Sequence, residues 1–145
     1  MEVHHETCND VMTQNPSCCV SSDNVVKAAQ LMKTENVGSI PVVEDSESKQ
    51  LIGIITDRDI TLTVVAANRT PETVMVSESM SRDLIVCREE DPVEMAIEAM
   101  ATHQVRRIPI VDANHRIVGI IAQGDVALRL NDPETTGEVV AEISE

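Results

Sequence analysis

The stretch Gly53-Ile54-Ile55-Thr56-Asp57-Arg58-Asp59 decides the fold of this chain, because an apolar strand runs through a glycine into a short polar segment. The apolar residues that follow are Ile60, Leu62, Val64 and Val65, a layout that predicts a tight turn followed by a helix. The first N–H groups of such a helix lack intrahelical partners and suit an anionic or polyhydroxylated ligand. Thr56 and Asp59 flank the junction, so they either meet a ligand or form a capping box with each other.

The same frame returns as Gly119-Ile120-Ile121-Ala122-Gln123-Gly124-Asp125. Asp125 takes the position of Asp59, but Ala122 replaces Thr56 and has no side-chain oxygen. A reciprocal capping box therefore cannot explain the second acid, whereas a ligand hydroxyl bound by each carboxylate explains both. A lone N-cap role of Asp125 stays open.

The recurrence belongs to a repeat that covers most of the chain. A shift of 68 residues carries Met12 to Met80, Cys19 to Cys87, Asp23 to Asp91, Val25 to Val93, Ala28 to Ala96, Met32 to Met100, Val37 to Val105 and Pro41 to Pro109. The shift becomes 66 after a hairpin loop and carries Gly53 to Gly119. Each copy reads strand, helix, strand, strand, helix, and the only gap falls in a surface loop. The sequence therefore predicts an internal duplication.

The predicted organisation has four parts. Residues 8–67 form the first motif, 68–78 a linker, 79–130 the second motif, and 131–145 an acidic C-terminal tail. A single unit of fewer than roughly 70 residues has only a marginal core. We therefore expect the two units to pack sheet to sheet, which would create two equivalent clefts, each lined by both copies.

Composition narrows the classes of function. The 145 residues are 42% hydrophobic, contain no Phe, Tyr or Trp, and carry a formal charge of −14. This charge argues against a nucleic-acid surface, which needs a basic stripe and usually stacking aromatics. No apolar run approaches the roughly 20 residues needed to span a bilayer, so we expect no membrane partner. The first residues lack the features of a secretory signal, and a cytoplasmic location is the default expectation.

Cysteines and histidines give little support for a metal site or catalysis. The four cysteines, Cys8, Cys18, Cys19 and Cys87, are too few and too irregular for a disulfide framework. His4, His5 and Cys8 are the best arrangement for a metal, but no CxxC pair or second histidine cluster completes it, so we predict none. Cys19 and Cys87 share one repeat position, which favours burial. No nucleophile–base pair is evident, so no catalytic residue is predicted and we expect no enzyme.

Five segments together carry a resemblance to a known family. They are Asp10-Val11-Met12-Thr13, Val37-Gly38-Ser39-Ile40-Pro41-Val42-Val43, Gly53 to Asp59, Val105-Arg106-Arg107-Ile108-Pro109-Ile110-Val111-Asp112, and Gly119 to Asp125. They resemble CBS motifs, and the chain is similar to a stand-alone tandem CBS pair, or Bateman module, over about residues 8–130. The resemblance implies a mixed α/β (α+β) fold of two pseudo-symmetric β-α-β-β-α motifs packed sheet to sheet as one module.

The resemblance also implies a ligand and the residues that hold it. CBS clefts commonly bind AMP, ADP, ATP or S-adenosylmethionine, as ligands rather than permanent cofactors. The ribose would fall to Thr56, Asp59 and Asp125, and phosphates to Arg58, Arg106 and Arg107. The adenine would lie against Cys18, Val37, Gly38, Ser39, Ile40, Val86, Val105 and Ile108. Because Ala122 and Gly124 replace Thr56 and Arg58, we expect the Asp59 cleft to bind adenine nucleotide more tightly.

The sequence thus favours a non-catalytic regulatory sensor, whose ligand stabilises one arrangement that a partner protein reads. One alternative is a structural dimerisation or adaptor module with vestigial clefts. The other is a sensor of S-adenosylmethionine. A homodimer is expected in each case, because paired CBS modules often associate into flat discs.

Overall fold

The computed structural model of the chain describes residues 6–130, without the side chains of residues 127–130. His4, His5 and the predicted acidic tail at residues 131–145 lie outside the described residues. In chain order the elements are α1 (Cys8–Val11), β1 (Thr13–Gln14), β2 (Cys19–Val20), α2 (Val25–Glu35), β3 (Ser39–Val43), β4 (Leu51–Thr56), α3 (Asp57–Ile60), α4 (Val76–Ser79), β5 (Cys87–Arg88), α5 (Val93–His103), β6 (Arg107–Val111), β7 (Ile117–Ala122) and α6 (Gln123–Leu130). A π-helical turn follows α3 at Thr61–Val65, and a 3-10 turn precedes α4 at Pro71–Thr73.

These elements form two compact units, each built around its own sheet, so the fold is the mixed α/β type that the sequence predicted. One unit is continuous in sequence and spans Ser17–Leu84; we call it the contiguous unit. The other joins the N-terminal segment up to Pro16 with the chain from Ile85 onward, and we call it the composite unit. Within the described part of the chain, no helix has both the length and the apolar character needed to cross a bilayer.

The contiguous unit contains a three-stranded sheet in the order β2-β3-β4. Strand β2 runs parallel to β3, with Cys19 opposite Val42, and α2 supplies the crossover between them. Strand β4 returns antiparallel to β3, so that Ser39 lies opposite Thr56. The pairing therefore brings the start of β3 to the start of α3, where the predicted ligand residues lie.

Helix α2 forms where the sequence predicts it because both its ends and one face are specified. The Asn24 side chain accepts a hydrogen bond of 2.7 Å from the Val26 N–H at the first turn. Asn36 ends the helix in the left-handed conformation, with φ of 56°. The residues Val25, Ala28, Met32, Ile40, Val42, Ile55, Val64, Val74 and Val76 form the core together with Cys19.

The composite unit repeats this pattern and adds one strand, giving the order β1-β7-β6-β5. Strands β5 and β6 are parallel, with Cys87 opposite Ile110, and β6 and β7 are antiparallel, with Arg107 opposite Ala122. The added strand β1 comes from the N-terminal segment and pairs with β7. The core consists of Cys8, Val11, Cys87, Val93, Ala96, Met100, Ile108, Ile110, Ile121 and Val126.

Each unit is completed by the short helix that precedes the other repeat in sequence. In the composite unit the Cys8 N–H of α1 donates to the Asp91 carbonyl at 2.8 Å. In the contiguous unit the Val76 N–H of α4 donates to the Asp23 carbonyl at 2.7 Å. The two contacts are equivalent under the repeat shift of 68 residues. The boundaries of the compact units therefore differ from those of the sequence repeats: α1 belongs to the unit of the second repeat, and α4 to the unit of the first.

Candidate functional site

Thr56 and Asp59 form a capping box at the start of α3. The Thr56 N–H donates to Asp59 Oδ2 at 2.9 Å, and the Asp59 N–H donates to Thr56 Oγ1 at 3.0 Å. Both side chains are half-buried. One carboxylate oxygen and the threonine hydroxyl proton remain available, because neither has a bond to a described residue.

The expectation that this helix start presents N–H groups to a ligand is wrong. The Asp57 N–H donates to the Gly38 carbonyl at 3.0 Å, and the Arg58 N–H donates to Asp57 Oδ1 at 2.8 Å. The Asp59 N–H is taken by Thr56 as described above. Because internal partners satisfy all three groups, α3 offers side-chain groups rather than its backbone to a ligand.

Asp57 is a member of this site that sequence reasoning missed. A β-carbon built on Gly38 would lie 3.2 Å from Asp57 Oδ2, so the exposed carboxylate lies over the glycine. The sequence does contain a signal for it: the two repeats differ here, with the acid Asp57 in the first copy and the neutral Gln123 at the equivalent position of the second. The Asp59 site consists of Gly38, Ser39, Thr56, Asp57 and Asp59.

The corresponding Asp125 site consists of Arg106, Arg107, Ala122, Gln123 and Asp125. The Ala122 N–H donates to Asp125 Oδ2 at 3.0 Å, which is one half of the capping box seen in the other unit. The Gln123 N–H donates to the Arg106 carbonyl at 2.9 Å. Across the described part of the chain, no side chain caps the N–H groups of Gly124 or Asp125. A structural role thus accounts for one oxygen of each aspartate and leaves the other oxygen for a ligand.

The predicted phosphate-binding arginines divide unevenly between the two sites. Arg58 is exposed and adjoins Asp57 and Asp59 in sequence. The backbones of Arg106 and Arg107 lie opposite Gln123 and Ala122 at the start of the Asp125 helix, where Arg106 is exposed and Arg107 is half-buried. Neither Arg58 nor Arg106 forms a salt bridge with any described residue, so the ion pair of Arg58 with its neighbouring aspartates is not present. The segments that meet at the Asp125 site therefore carry two arginines, whereas those at the Asp59 site carry one.

The residues predicted to line an adenine are placed at different depths. Cys18, Val37, Ser39, Val86 and Val105 are half-buried and Gly38 is exposed, whereas Ile40 and Ile108 are fully buried. The isoleucine side chains belong to the two cores, so they would meet a ligand only through their backbone. Burial raises the pKa of the Cys18 thiol to about 11, which keeps this group neutral.

Two hydroxyl groups that sequence reasoning did not single out hold the Asp59 helix in place. Thr63 Oγ1, in the π-helical turn, donates to the Asp59 carbonyl at 2.7 Å. Ser79 Oγ lies 2.7 Å from Thr63 Oγ1 and must be the donor, because the threonine proton is already used. Ser79 is buried in α4, and Val11 stands at the equivalent position of α1. This chain of hydroxyls is therefore specific to the contiguous unit.

Among residues 6–130, no three His, Cys, Asp or Glu side chains group together as metal ligands. Cys8, the described member of the arrangement considered from the sequence, is fully buried in the core of the composite unit.

The family model of the CBS domain matches residues 8–65 and 76–132. The chain belongs to the CBS domain family. The two matches make it a tandem CBS pair. A curated relative, CBS domain-containing protein YhcV of Bacillus subtilis, is 42% identical over 135 residues, which cover 93% of each chain. Hypoxic response protein 1 of Mycobacterium tuberculosis is 33% identical over 125 residues, covering 86% of this chain and 85% of the relative.

Solved structures of CBS proteins share this fold. Hypoxic Response Protein I, with two coordinated zinc ions, gives a TM-score of 0.76 at 30% identity and covers 85% of this CBS pair and 98% of its own chain. The CBS domain pair of MJ0100, in complex with 5′-methylthioadenosine and S-adenosyl-L-methionine, gives 0.73 at 27% identity, covering 88% and 98%. CBSX2 in complex with AMP gives 0.72 at 26% identity, covering 88% and 99%.

Proposed function

We propose that this CBS pair is a non-catalytic regulatory sensor that binds an adenosine-containing ligand. The observation that carries the proposal is the repetition of one aspartate, Asp59 and Asp125, at the start of equivalent helices in both units. Each uses one carboxylate oxygen to fix the chain and leaves the other for a ligand. The complexes of the MJ0100 pair with 5′-methylthioadenosine and S-adenosyl-L-methionine, and of CBSX2 with AMP, support adenosine as the common element.

The ribose is assigned to these aspartates for a chemical reason. Neighbouring sugar hydroxyls are donors, and a carboxylate is an acceptor that is already oriented by its bond to the backbone. In the Asp59 site the Thr56 hydroxyl adds a donor, since its oxygen accepts from Asp59 N–H while its proton is unused. Losing such a charge-assisted bond costs about 1.5–3 kcal/mol, or roughly a tenfold to hundredfold loss of affinity.

The charge of each site favours a different adenosine compound. The segments of the Asp59 site carry two acids, Asp57 and Asp59, and one arginine, whereas those of the Asp125 site carry one acid and two arginines, Arg106 and Arg107. A phosphate is favoured by the second arrangement and repelled by the first. We therefore assign nucleotides to the Asp125 site and uncharged or cationic adenosine compounds to the Asp59 site. This reverses the ranking expected from the sequence, which counted Thr56 and Arg58 in favour of the Asp59 site and left out the negative charge of Asp57.

Ligand binding can be tested directly, because a protein without Trp or Tyr barely absorbs at 280 nm. Co-purified adenine would then stand out at 260 nm. Calorimetry with AMP, ATP, 5′-methylthioadenosine and S-adenosylmethionine should show binding that Asp59→Ala or Asp125→Ala weakens at one site each. Asp83→Ala is the matched control, since this exposed acid makes no described side-chain bond. Intact binding of every compound in both site variants would contradict the proposal.

A second candidate function, a dimerisation or adaptor module, is favoured by one observation. Leu62 and Val65 in the π-helical turn expose 51% and 73% of their surface, and neighbouring exposed apolar side chains can mark a protein–protein interface. We propose that this turn supports a homodimer. Light scattering should give twice the monomer mass for the wild type and the monomer mass for Val65→Gln. An intact dimer that binds none of the adenosine compounds would favour the adaptor over the sensor.

A further inference from the structure

Cys8 and Cys87 are distant in sequence but adjacent in the composite unit. Both side chains lie in the same buried core at 0% and 5% exposure, and the thiols are near enough for each to shift the pKa of the other. The backbone maintains this adjacency: Cys8 N–H donates to the Asp91 carbonyl at 2.8 Å and Asn9 N–H to the Glu89 carbonyl at 2.9 Å. Both acceptors lie in the turn that follows Cys87 on β5.

The other unit shows that packing does not require two thiols at this place. Cys19 occupies the position of Cys87, but Val76 occupies the position of Cys8. Both residues are fully buried in the core of the contiguous unit, in the same backbone setting. A valine therefore fills this core position as well as a cysteine does, so packing alone does not explain the second thiol in the composite unit.

We propose that Cys8 and Cys87 are a redox-active pair that forms a reversible disulfide between α1 and β5. A peroxide is the oxidant. The thiolate of one cysteine attacks a peroxide oxygen, giving a sulfenic acid and, from hydrogen peroxide, one water. The second thiol displaces the sulfenic oxygen as another water and forms the S–S bond. In total two thiols lose two electrons and two protons, and one peroxide is reduced to two waters.

The roles of the two sulfurs follow from the effect that each thiol has on the pKa of the other. Cys8 Sγ donates to the Pro92 carbonyl at 3.9 Å. The interaction of the two neighbouring thiols raises the pKa of Cys8 and lowers the pKa of Cys87, although burial opposes the second change. Cys87 is thus the thiol that reacts first, and Cys8 resolves the intermediate. Burial makes the reaction dependent on local opening of α1, a helix of only four residues. A dithiol reverses the bond by exchange.

The test uses the full chain, treated with graded hydrogen peroxide, alkylated and digested without reduction. The expected result is a mass loss of two hydrogens and a peptide that links Cys8 to Cys87, both reversed by dithiothreitol. The closed loop spans more than half of the chain, so the oxidised protein should melt higher by on the order of 10 °C. A linkage between any other cysteines, or oxidation that stops at sulfinic acid, would overturn the proposal.

The repeat supplies matched variants. Cys8→Val copies the contiguous unit and should fold yet form no linkage, whereas Cys19→Ala should leave the linkage and its thermal shift unchanged. Val76→Cys should create an equivalent pair with Cys19, and this second linkage should form under the same treatment. If Cys8→Val keeps the thermal shift on oxidation, or if Cys19→Ala abolishes it, the pair is not the reactive site.

Discussion

Gly53 lies directly against Met80: a β-carbon built on the glycine would come 2.8 Å from the methionine sulfur. The Ser81 carbonyl oxygen is 2.9 Å from the same point, and the backbones of Ile54 and Ser81 exchange hydrogen bonds of 3.0 and 2.8 Å. Met12 approaches Gly119 in the same way in the composite unit. A glycine is therefore needed at this repeat position, because a side chain would block the close approach of the segment that follows α1 or α4.

Gly53→Ala should accordingly destabilise the protein. The new methyl group would push Met80 and the Ser81 backbone away from β4, and overpacking of this kind costs about 1–3 kcal/mol. Urea unfolding measures the loss. Gly124→Ala is the control, because nothing lies within 4 Å of its added carbon and alanine favours the helix. An equal free energy of unfolding for Gly53→Ala and wild type would contradict this prediction, because it would mean that Met80 and Ser81 can move aside without destabilising the fold.

Ser79→Ala should destabilise the contiguous unit by about 1 kcal/mol, because the buried Thr63–Ser79 hydrogen bond is lost. Thr63→Val should cost at least as much, since it also removes the bond to the Asp59 carbonyl. The double variant should be less destabilised than the sum of the two, which a double-mutant cycle by urea unfolding measures. Strict additivity would mean that the two hydroxyls act independently.

Asn24→Ala should destabilise the protein by about 1–2 kcal/mol through loss of the α2 N-cap. The side chain accepts from Val26 N–H at 2.7 Å and donates to the Pro71 carbonyl at 3.1 Å, so one substitution releases two parts of the contiguous unit. Asn24→Ser keeps an acceptor for the N–H and should recover part of the loss. Thermal unfolding of the pair distinguishes capping from a general effect of truncation.

We expect the free energy of unfolding to fall in acid as Asp112 becomes protonated. Hydrogen bonds from the Arg116 and Asn114 N–H groups, with the Arg116 guanidinium, hold the pKa of Asp112 below its usual 3.8. A pKa lower in the folded state means that the stabilisation is present above the unfolded value and is lost as pH falls through the folded value. The urea midpoint of the wild type should therefore drop between about pH 5 and pH 2. Asp112→Asn should show a smaller drop, and an identical pH profile would contradict this assignment.

The local elements were predictable because the relevant signals lie within a few residues of one another. The buried positions Val25, Ala28 and Met32 of α2 follow a helical period, and the structure buries them as expected. The capping box of Thr56 and Asp59 was one of two interpretations, and it is present. The internal repeat likewise predicted equivalent strands and helices, since equal sequence imposes equal local preferences.

Contacts at long sequence separation were not predictable in this way. The first N–H group of α3 is hydrogen-bonded to the Gly38 carbonyl, and this carbonyl is in reach only because β3 pairs with β4. The burial of Ile40 and Ile108 depends on which face of each central strand meets its helices. Local sequence contains neither piece of information.

By itself, the sequence determined that this protein is a duplicated CBS pair with one aspartate repeated at the start of equivalent helices. Only the tertiary structure decided that each unit is completed by the short helix that precedes the other repeat, which places Cys8 in the same core as Cys87. The physical reason is that periodicity and capping act over a few residues. A close approach such as Met80 on Gly53 is a property of two distant segments together, and the folded chain alone brings them into contact.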